Sequence, residues 1–359
     1  MPEQSIQHID FDELNQKAIS QPLIKNIFTA DPSAHVFNER IYIYPSHDID
    51  AGDAFDDLGS HFAMEDYHVI SMDSPEREAK DNGVALRVND VPWAEKQMWA
   101  PDAAEKNGKY YLFFPAKDYE GIFRIGVAVS DSPVGPFSPE PEAIKKSFSI
   151  DPVVFKDDDA CLDGPARQGS YYMYFGGIWG GQLQRWRDGS FNATQPESPT
   201  AHLPKDNEPA LCAKVAKLTS DLLEFAEEPR DVLIVDENNK PLLQGDTERR
   251  FFEASWVHKY NGKYYFSYST GDTHFICYAI GDNPYGPFEY AGKILNPVVG
   301  WTSHHSIVEF ENEWYLFYHD SSLSKGVTHL RSIKVTKLVH DENGFIKTIE
   351  PYGDFKALV

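Results

Sequence analysis

The chain has 359 residues, enough to bury a large core in one repeat-built domain or in two ordinary ones. Its formal net charge of −23 argues against nucleic acid and anionic membrane surfaces as partners. Aromatic residues make up 14% of the chain, more than a core alone demands, and some can serve as platforms for flat apolar faces such as sugar rings.

In chain order, residues 1–22 read as an N-terminal extension whose only regular feature is a weak helical pattern over 12–20. Residues 23–359 read as a single domain built from repeats. Each repeat carries a turn followed by a strand rich in Tyr. The copies are Asn38-Glu39-Arg40-Ile41-Tyr42-Ile43-Tyr44, Asn107-Gly108-Lys109-Tyr110-Tyr111-Leu112-Phe113 and Gln168-Gly169-Ser170-Tyr171-Tyr172-Met173-Tyr174. They continue with Asn261-Gly262-Lys263-Tyr264-Tyr265-Phe266-Ser267 and Glu311-Asn312-Glu313-Trp314-Tyr315-Leu316-Phe317. Asn-Gly between two extended runs is a hairpin signal, because both turn residues need positive φ. Upstream of each turn lies a short apolar run headed by a polar residue: Asp31, Asp102, Asp151, Glu253 and the pair His304-His305.

A second phrase also recurs. Val127-Ala128-Val129-Ser130-Asp131-Ser132-Pro133-Val134-Gly135-Pro136-Phe137 matches Tyr278-Ala279-Ile280-Gly281-Asp282-Asn283-Pro284-Tyr285-Gly286-Pro287-Phe288, and each reads as a third strand ending in a Pro-Gly turn. Five units of about 50–90 residues with about four strands each predict an all-β, five-bladed β-propeller. In that architecture the innermost strands surround an axis, so the polar heads gather at one face although they are far apart in sequence. The span 180–245 is longer than a blade needs, and reads either as a pocket rim or as a surface loop. The run Asp157-Asp158-Asp159 reads as a solvated hairpin tip. Cys161, Cys212 and Cys277 fit no disulfide framework or zinc spacing and are expected to be small buried hydrophobes. The first residues show no basic region followed by an apolar stretch, so a cytoplasmic location is expected.

Two carboxylates facing each other across a pocket suffice to cleave a glycosidic bond, one protonating the leaving oxygen and one activating water or attacking directly. A third carboxylate raises the pKa of the acid by repulsion between like charges. Asp31, Asp151 and Glu253 can fill these roles. The longer reach of Glu253 suits proton delivery, and Asp31 suits a fixed base.

The ordered set Thr29-Ala30-Asp31-Pro32, Trp99-Ala100-Pro101-Asp102, Ile150-Asp151-Pro152 and Phe252-Glu253-Ala254-Ser255 resembles glycoside hydrolase family 43. So does Ser303-His304-His305-Ser306 followed by Trp314-Tyr315-Leu316-Phe317-Tyr318-His319-Asp320. The resemblance runs over about 23–349. It implies a five-bladed β-propeller that hydrolyses xylose- or arabinose-containing glycosides with inversion, Asp31 as general base, Asp151 as pKa modulator and Glu253 as general acid.

The resemblance also implies that Arg331 from the last blade lies against the substrate, and that a structural calcium in the axial channel would have His304 beside it. Asp102 reads equally as a substrate-binding residue, in the pocket wall or hydrogen-bonded to the sugar, or as a strand-entry cap, and Trp99 as a platform stacking on the substrate or as core packing. The expected activity is release of terminal xylose from β-1,4-xylo-oligosaccharides. An α-L-arabinofuranosidase, or an enzyme with both activities, is the neighbouring alternative, and a carbohydrate-binding propeller without catalysis is the rival from another class. Retaining sucrose- and fructan-cleaving propellers would carry Asn-Asp-Pro, Arg-Asp-Pro and Glu-Cys where this chain has Ala30-Asp31-Pro32, Ile150-Asp151-Pro152 and Glu253-Ala254. Association into a homo-oligomer is left open.

Overall fold

A computed structural model describes residues 9–158 and 169–355. Its strands form five sheets, each following the next along the chain. Blade 1 comprises β1 (Phe28–Phe37), β2 (Arg40–Asp48), β3 (Asp66–Met72) and β4 (Lys80–Arg87) in sequential antiparallel order. Blade 2 contains β5 (Ala94–Lys96), β6 (Asp102–Lys106), β7 (Lys109–Asp118), β8 (Phe123–Ser130) and β9 (Ser138–Pro139), and both β5 and β6 pair with β7.

Blade 3 is β10 (Val153–Asp157), β11 (Ser170–Phe175), β12 (Lys214–Lys217) and β13 (Arg230–Asp231). Next in the chain comes β14 (Ile234–Val235). Blade 4 runs from β15 (Glu253–Tyr260) through β16 (Lys263–Ser269) and β17 (Ile276–Gly281) to β18 (Phe288–Leu295), against which β14 adds in parallel. Blade 5 is β19 (His305–Phe310), β20 (Glu313–Asp320) and β21 (Ser332–Leu338). The first full strands β1, β6, β10, β15 and β19 contact one another in succession, and β19 returns to β1, so the ring is closed. This is the expected five-bladed β-propeller.

The hairpins follow from the turn chemistry. Registers Phe37↔Arg40, Lys106↔Lys109, Tyr260↔Lys263 and Phe310↔Glu313 leave two-residue loops. All eight loop residues have positive φ, from 48° at Asn261 to 76° at Gly108, as a hairpin with right-handed strand twist requires. The third unit differs: Asp157 pairs with Ser170, so residues 158–169 intervene. Gln168, Asp159 and Cys161 lie outside the described residues. Asp157 is not at a solvated tip. It is buried between Lys259 Nζ (3.1 Å) and the Tyr264 hydroxyl (2.5 Å), both in blade 4. Cys277 is buried and Cys212 half-buried.

Alternating side chains fill the spaces between blades. Ile41, Ile43, Ile70 and Met72 of blade 1 pack with Ile307, Leu316, Phe317 and Ile333 of blade 5. On the other face of blade 1, Tyr44, Tyr67 and Val69 pack with Ala103, Leu112 and Phe114 of blade 2. The short helix α1 (Phe11–Lys17) is capped by Asp10, whose carboxylate accepts the Asp12 and Glu13 amides. Its Leu14 is fully buried in the apolar cluster between blades 1 and 5. The Leu23 amide then donates to the Ile333 carbonyl at 2.8 Å, and Thr29 to the Arg331 carbonyl at 2.9 Å. The chain thus passes along the edge of blade 5 before entering blade 1.

Candidate active site

Four of the five polar heads meet at one end of the ring. Asp31, Asp151, Glu253 and His304 line a cavity of about 860 Å³, together with Trp99 and Arg331. Local backbone distortion aims two of these side chains. The β1–β2 register slips between Ala30 and Ser33, and the β15–β16 register slips between Glu253 and Trp256. Such bulges re-aim a strand residue. Asp31 (φ 50°), Asp151 (φ 54°) and Ala254 (φ 62°) are all left-handed, a conformation that costs non-glycine residues energy and concentrates at functional sites.

Asp31 is held from three sides. Ser46 Oγ donates to its Oδ2 at 2.6 Å, and Arg331 donates from Nη1 to Oδ1 at 2.8 Å and from Nη2 to Oδ2 at 3.2 Å. Its amide N–H donates to His319 Nδ1 at 3.0 Å. An amide can only donate, so His319 Nδ1 accepts and its ring proton sits on Nε2, facing the Thr302 carbonyl at 3.1 Å. Burial also pushes the His319 pKa down, to about 3, which keeps the ring neutral. Burial alone would raise Asp31; the Arg331 guanidinium is the largest of the opposing influences, which together with the neighbouring histidines and the Ser46 hydrogen bond hold the carboxyl at about 2.

Arg331 is anchored by a second carboxylate, Asp48, at the end of β2. Asp48 accepts Arg331 Nε at 2.9 Å, Nη2 at 2.8 Å and the Arg331 amide at 2.8 Å. Nη1 also donates to Thr302 Oγ1 at 3.0 Å. All five guanidinium N–H groups are thereby spent on the protein. Arg331 lines the cavity but retains no donor for a sugar, so its contribution is to fix and ionise Asp31.

Asp151 and Glu253 have the opposite electrostatics. Asp151 accepts the Ala254 amide at 2.8 Å. Burial, followed by the Asp31 charge, pushes Asp151 up to about 8. Burial, then Asp151, then Asp31 push Glu253 well above the usual carboxylate range. Glu253 is half-buried and faces the cavity, so its environment is a deep pocket floor with an open side. Glu253 is pushed up further than Asp151, whose anion is stabilised by the Ala254 amide N–H, so Glu253 is the one that keeps its proton.

Asp102 is not brought into the pocket. It is fully buried beneath it, with Oδ1 against Ser33 Oγ and His35 Nε2 (2.6 Å) and Oδ2 accepting the Val154 amide at 2.5 Å. This is a cap that ties β6 to blades 1 and 3. Trp99 forms pocket wall. Its Nε1 donates to the Phe62 carbonyl at 2.8 Å and its ring packs 4.7 Å from Phe123. His304 Nδ1 accepts the His305 amide at 2.8 Å, so Nε2 carries the proton. Nε2 has no hydrogen-bond partner among the described residues and lies 3.9 Å from Asp151 Oδ2. A cation at Nε2 would need a lone pair there, and hence a ring proton at Nδ1 pointing at the His305 N–H. His304 as arranged therefore does not fit the role of calcium ligand.

A model of the family described as "Glycosyl hydrolases family 43" matches residues 19–192. A "Xylosidase/arabinosidase 43A" from Humicola insolens is 59% identical over 337 residues, covering 92% of this chain and 99% of the relative. The chain belongs to glycosyl hydrolase family 43. A "Beta-xylosidase" from Xylanibacter ruminicola is 56% identical, covering 90% of this chain and 97% of its own. Among solved structures, a family 43 beta-xylosidase/alpha-arabinofuranosidase from a compost microbial metagenome, in complex with xylotriose and in a calcium-free form, is 63% identical. It superposes with a TM-score of 0.88 over 93% of this chain and 98% of that one. A family 43 enzyme from Xanthomonas citri complexed with xylotriose is 54% identical, with a TM-score of 0.87 over 96% and 97%.

This family 43 glycoside hydrolase has a pocket rim that the sequence motifs did not mark. Residues 55–64, between β2 and β3, and 325–331, before β21, supply Phe55, Phe62, Met64, Val327 and His329. Trp179 and Trp301 also line the cavity, with ring centroids 5.6 Å apart, and the Trp301 amide donates to Thr328 Oγ1 at 3.0 Å. Of the long 180–245 span, only Gly180 and Gly181 line the cavity among the described residues. The rest builds β12 to β14 and a surface segment in which buried Arg185 donates to the carbonyls of Asn192, Thr194 and Gln195. The span is mostly outer blade rather than rim. Asp48, Ser46 and Thr302 sit in no motif. His319 does, within Tyr318-His319-Asp320, and its strand position facing β1 was the available signal.

Proposed function

We propose that this hydrolase removes terminal xylose from β-1,4-xylo-oligosaccharides by single displacement with inversion. The observation that carries the reading is the opposed ionisation of two carboxylates in one pocket. Asp31, held near a pKa of about 2, is an anion at any working pH and can take a proton from water. Glu253, pushed up by burial and by its acidic neighbours, keeps a proton to deliver to the leaving oxygen. Asp151 is close enough to raise Glu253 and, through the Ala254 amide, fixes the bulge that presents it.

Each proton has a path through the pocket. Water loses one to Asp31 as its oxygen bonds to the anomeric carbon. The glycosidic oxygen gains one from Glu253 as its bond to that carbon breaks. The Nε2–H of His304, without a hydrogen-bond partner among the described residues, is a donor at the floor and suits a sugar hydroxyl. The layer below is closed by Asp102, Ser33 and His35, bonded to one another, which suits the end of a chain rather than its middle.

Xylose as the glycon is supported by relatives described as a beta-xylosidase and by neighbours complexed with xylotriose. Relatives described as xylosidase/arabinosidase support α-L-arabinofuranosidase as a second activity of the same site. The test is hydrolysis of nitrophenyl β-xyloside and nitrophenyl α-L-arabinofuranoside side by side, with Asp31→Asn and Glu253→Gln as controls. Xyloside turnover that is lost with Asp31→Asn supports the reading. Turnover of the arabinoside alone would replace the glycon, and turnover of neither by folded protein would overturn it.

A further inference from the structure

We propose that His47, Asp66 and His68, on blade 1 outside the catalytic pocket, bind a divalent transition metal of the zinc type. One ligand atom from each lies within 4.8 Å of the others, and the three side chains retain 18%, 20% and 11% exposure, so solvent and ions reach them. Two imidazoles and one carboxylate with room for water form a donor set suited to zinc-like ions, whereas calcium prefers oxygen alone.

The hydrogen bonds around the cluster prepare it for a cation. Asp81 Oδ1 sits 2.9 Å from His68 Nδ1 and also accepts the Gly83 amide at 2.8 Å, so Asp81 is fixed and His68 Nδ1 is the donor. His68 therefore turns its other ring nitrogen, Nε2, toward Asp66. Nε2 stands 3.9 Å from Asp66 Oδ1, too far for a hydrogen bond and within the reach of two ligands to one ion. A carboxylate that holds the far nitrogen of an imidazole while the near one faces the metal is the usual outer shell of zinc-binding histidines. His47 closes the group: its Nδ1 lies 2.6 Å from Asp66 Oδ1, and its ring centroid 4.5 Å from that of His68. A cation here takes the place of the His47 Nδ1 proton, which is released to solvent.

Besides these groups, Arg87 acts on Asp66 as the neighbouring cation. The three ligands join β2 to β3 near the pocket end of blade 1. His47 immediately precedes Asp48, so the ion would brace the strand end that anchors Arg331.

The test uses full-length protein stripped with a chelator and titrated with Co²⁺, whose visible d–d bands report ligation. The expected result is one Co²⁺ per chain, visible bands and a raised thermal midpoint. Both signals should be lost in His47→Gln and in His68→Gln, with near-ultraviolet circular dichroism confirming that the variants are folded. His304→Gln should retain them, separating this site from the pocket. Asp81→Asn, which leaves every ligand in place, should weaken Co²⁺ by about 10–100-fold. Absence of bands and of a midpoint shift in the unmutated chain, or bands that persist in the folded His47→Gln/His68→Gln double variant, would overturn the site.

Discussion

Because the Arg331 guanidinium divides its five N–H groups among Asp31, Asp48 and Thr302, its loss strands two buried carboxylates at once. Breaking a buried ion pair from one side costs about 3–5 kcal/mol, and Arg331→Met is expected to lose at least that in urea denaturation. Arg331→Lys keeps the charge but not the planar fork. Its expected effect is on the acidic limb of the rate profile: Asp31 is held at about 2 by Arg331, so weakening that contact should move the limb of kcat/KM to higher pH. Glu253 gives the opposite sign in stability. Its folded pKa is raised, so above the unfolded value the folded state binds more protons, and stability falls as pH rises. Glu253→Gln should therefore melt higher than the parent at neutral pH while losing about 10²–10⁴-fold in kcat on xylo-oligosaccharides. A melt lower than the parent would place the proton elsewhere. The sequence made Asp31, Asp151 and Glu253 legible because each heads a repeat. Asp48 was not legible, because its meaning depends on Arg331, 283 residues away in the chain.

At the scale of elements, the hairpins were readable because turn chemistry is local, and the positive φ values at Asn38, Asn107, Asn261 and Asn312 follow from it. The bulges that aim Asp31 and Glu253 were not readable, since a register slip is a property of two strands together. The pocket rim was hidden for a similar reason: it comes from connections with no repeat signature. Gly180 shows how tightly one such connection is set. A Cβ there would stand 2.7 Å from the Leu58 carbonyl oxygen and 3.2 Å from the Trp99 ring. Gly180→Ala is expected to push the Trp179 segment away from residues 55–64 and raise KM several-fold, with kcat changed less because Asp31 and Glu253 stay in place. Steady-state kinetics on xylotriose check this, and a fall in kcat at unchanged KM would speak against it.

At the scale of the molecule, five in-phase repeats forecast the ring, and the succession of contacts from β1 to β19 and back closes it. What the repeats could not show is how the N-terminal residues join the seam. Leu14 is buried with Ile333 and Tyr352, and the Leu23 amide bonds the Ile333 carbonyl beside Arg331. Leu14→Ala should cost about 2–5 kcal/mol in denaturant unfolding, as a buried leucine does, with KM unchanged because the cavity is remote from α1. The central claim is that Asp31 drives water directly onto the sugar while Glu253 protonates the leaving oxygen. Following xylotriose hydrolysis by proton NMR from the first minutes tests it most directly. The account predicts that α-xylose appears first and equilibrates later to the β anomer, and that Asp31→Asn releases neither at a comparable rate. First appearance of β-xylose would mean two displacements through a covalent intermediate, and would contradict the roles assigned to both carboxylates.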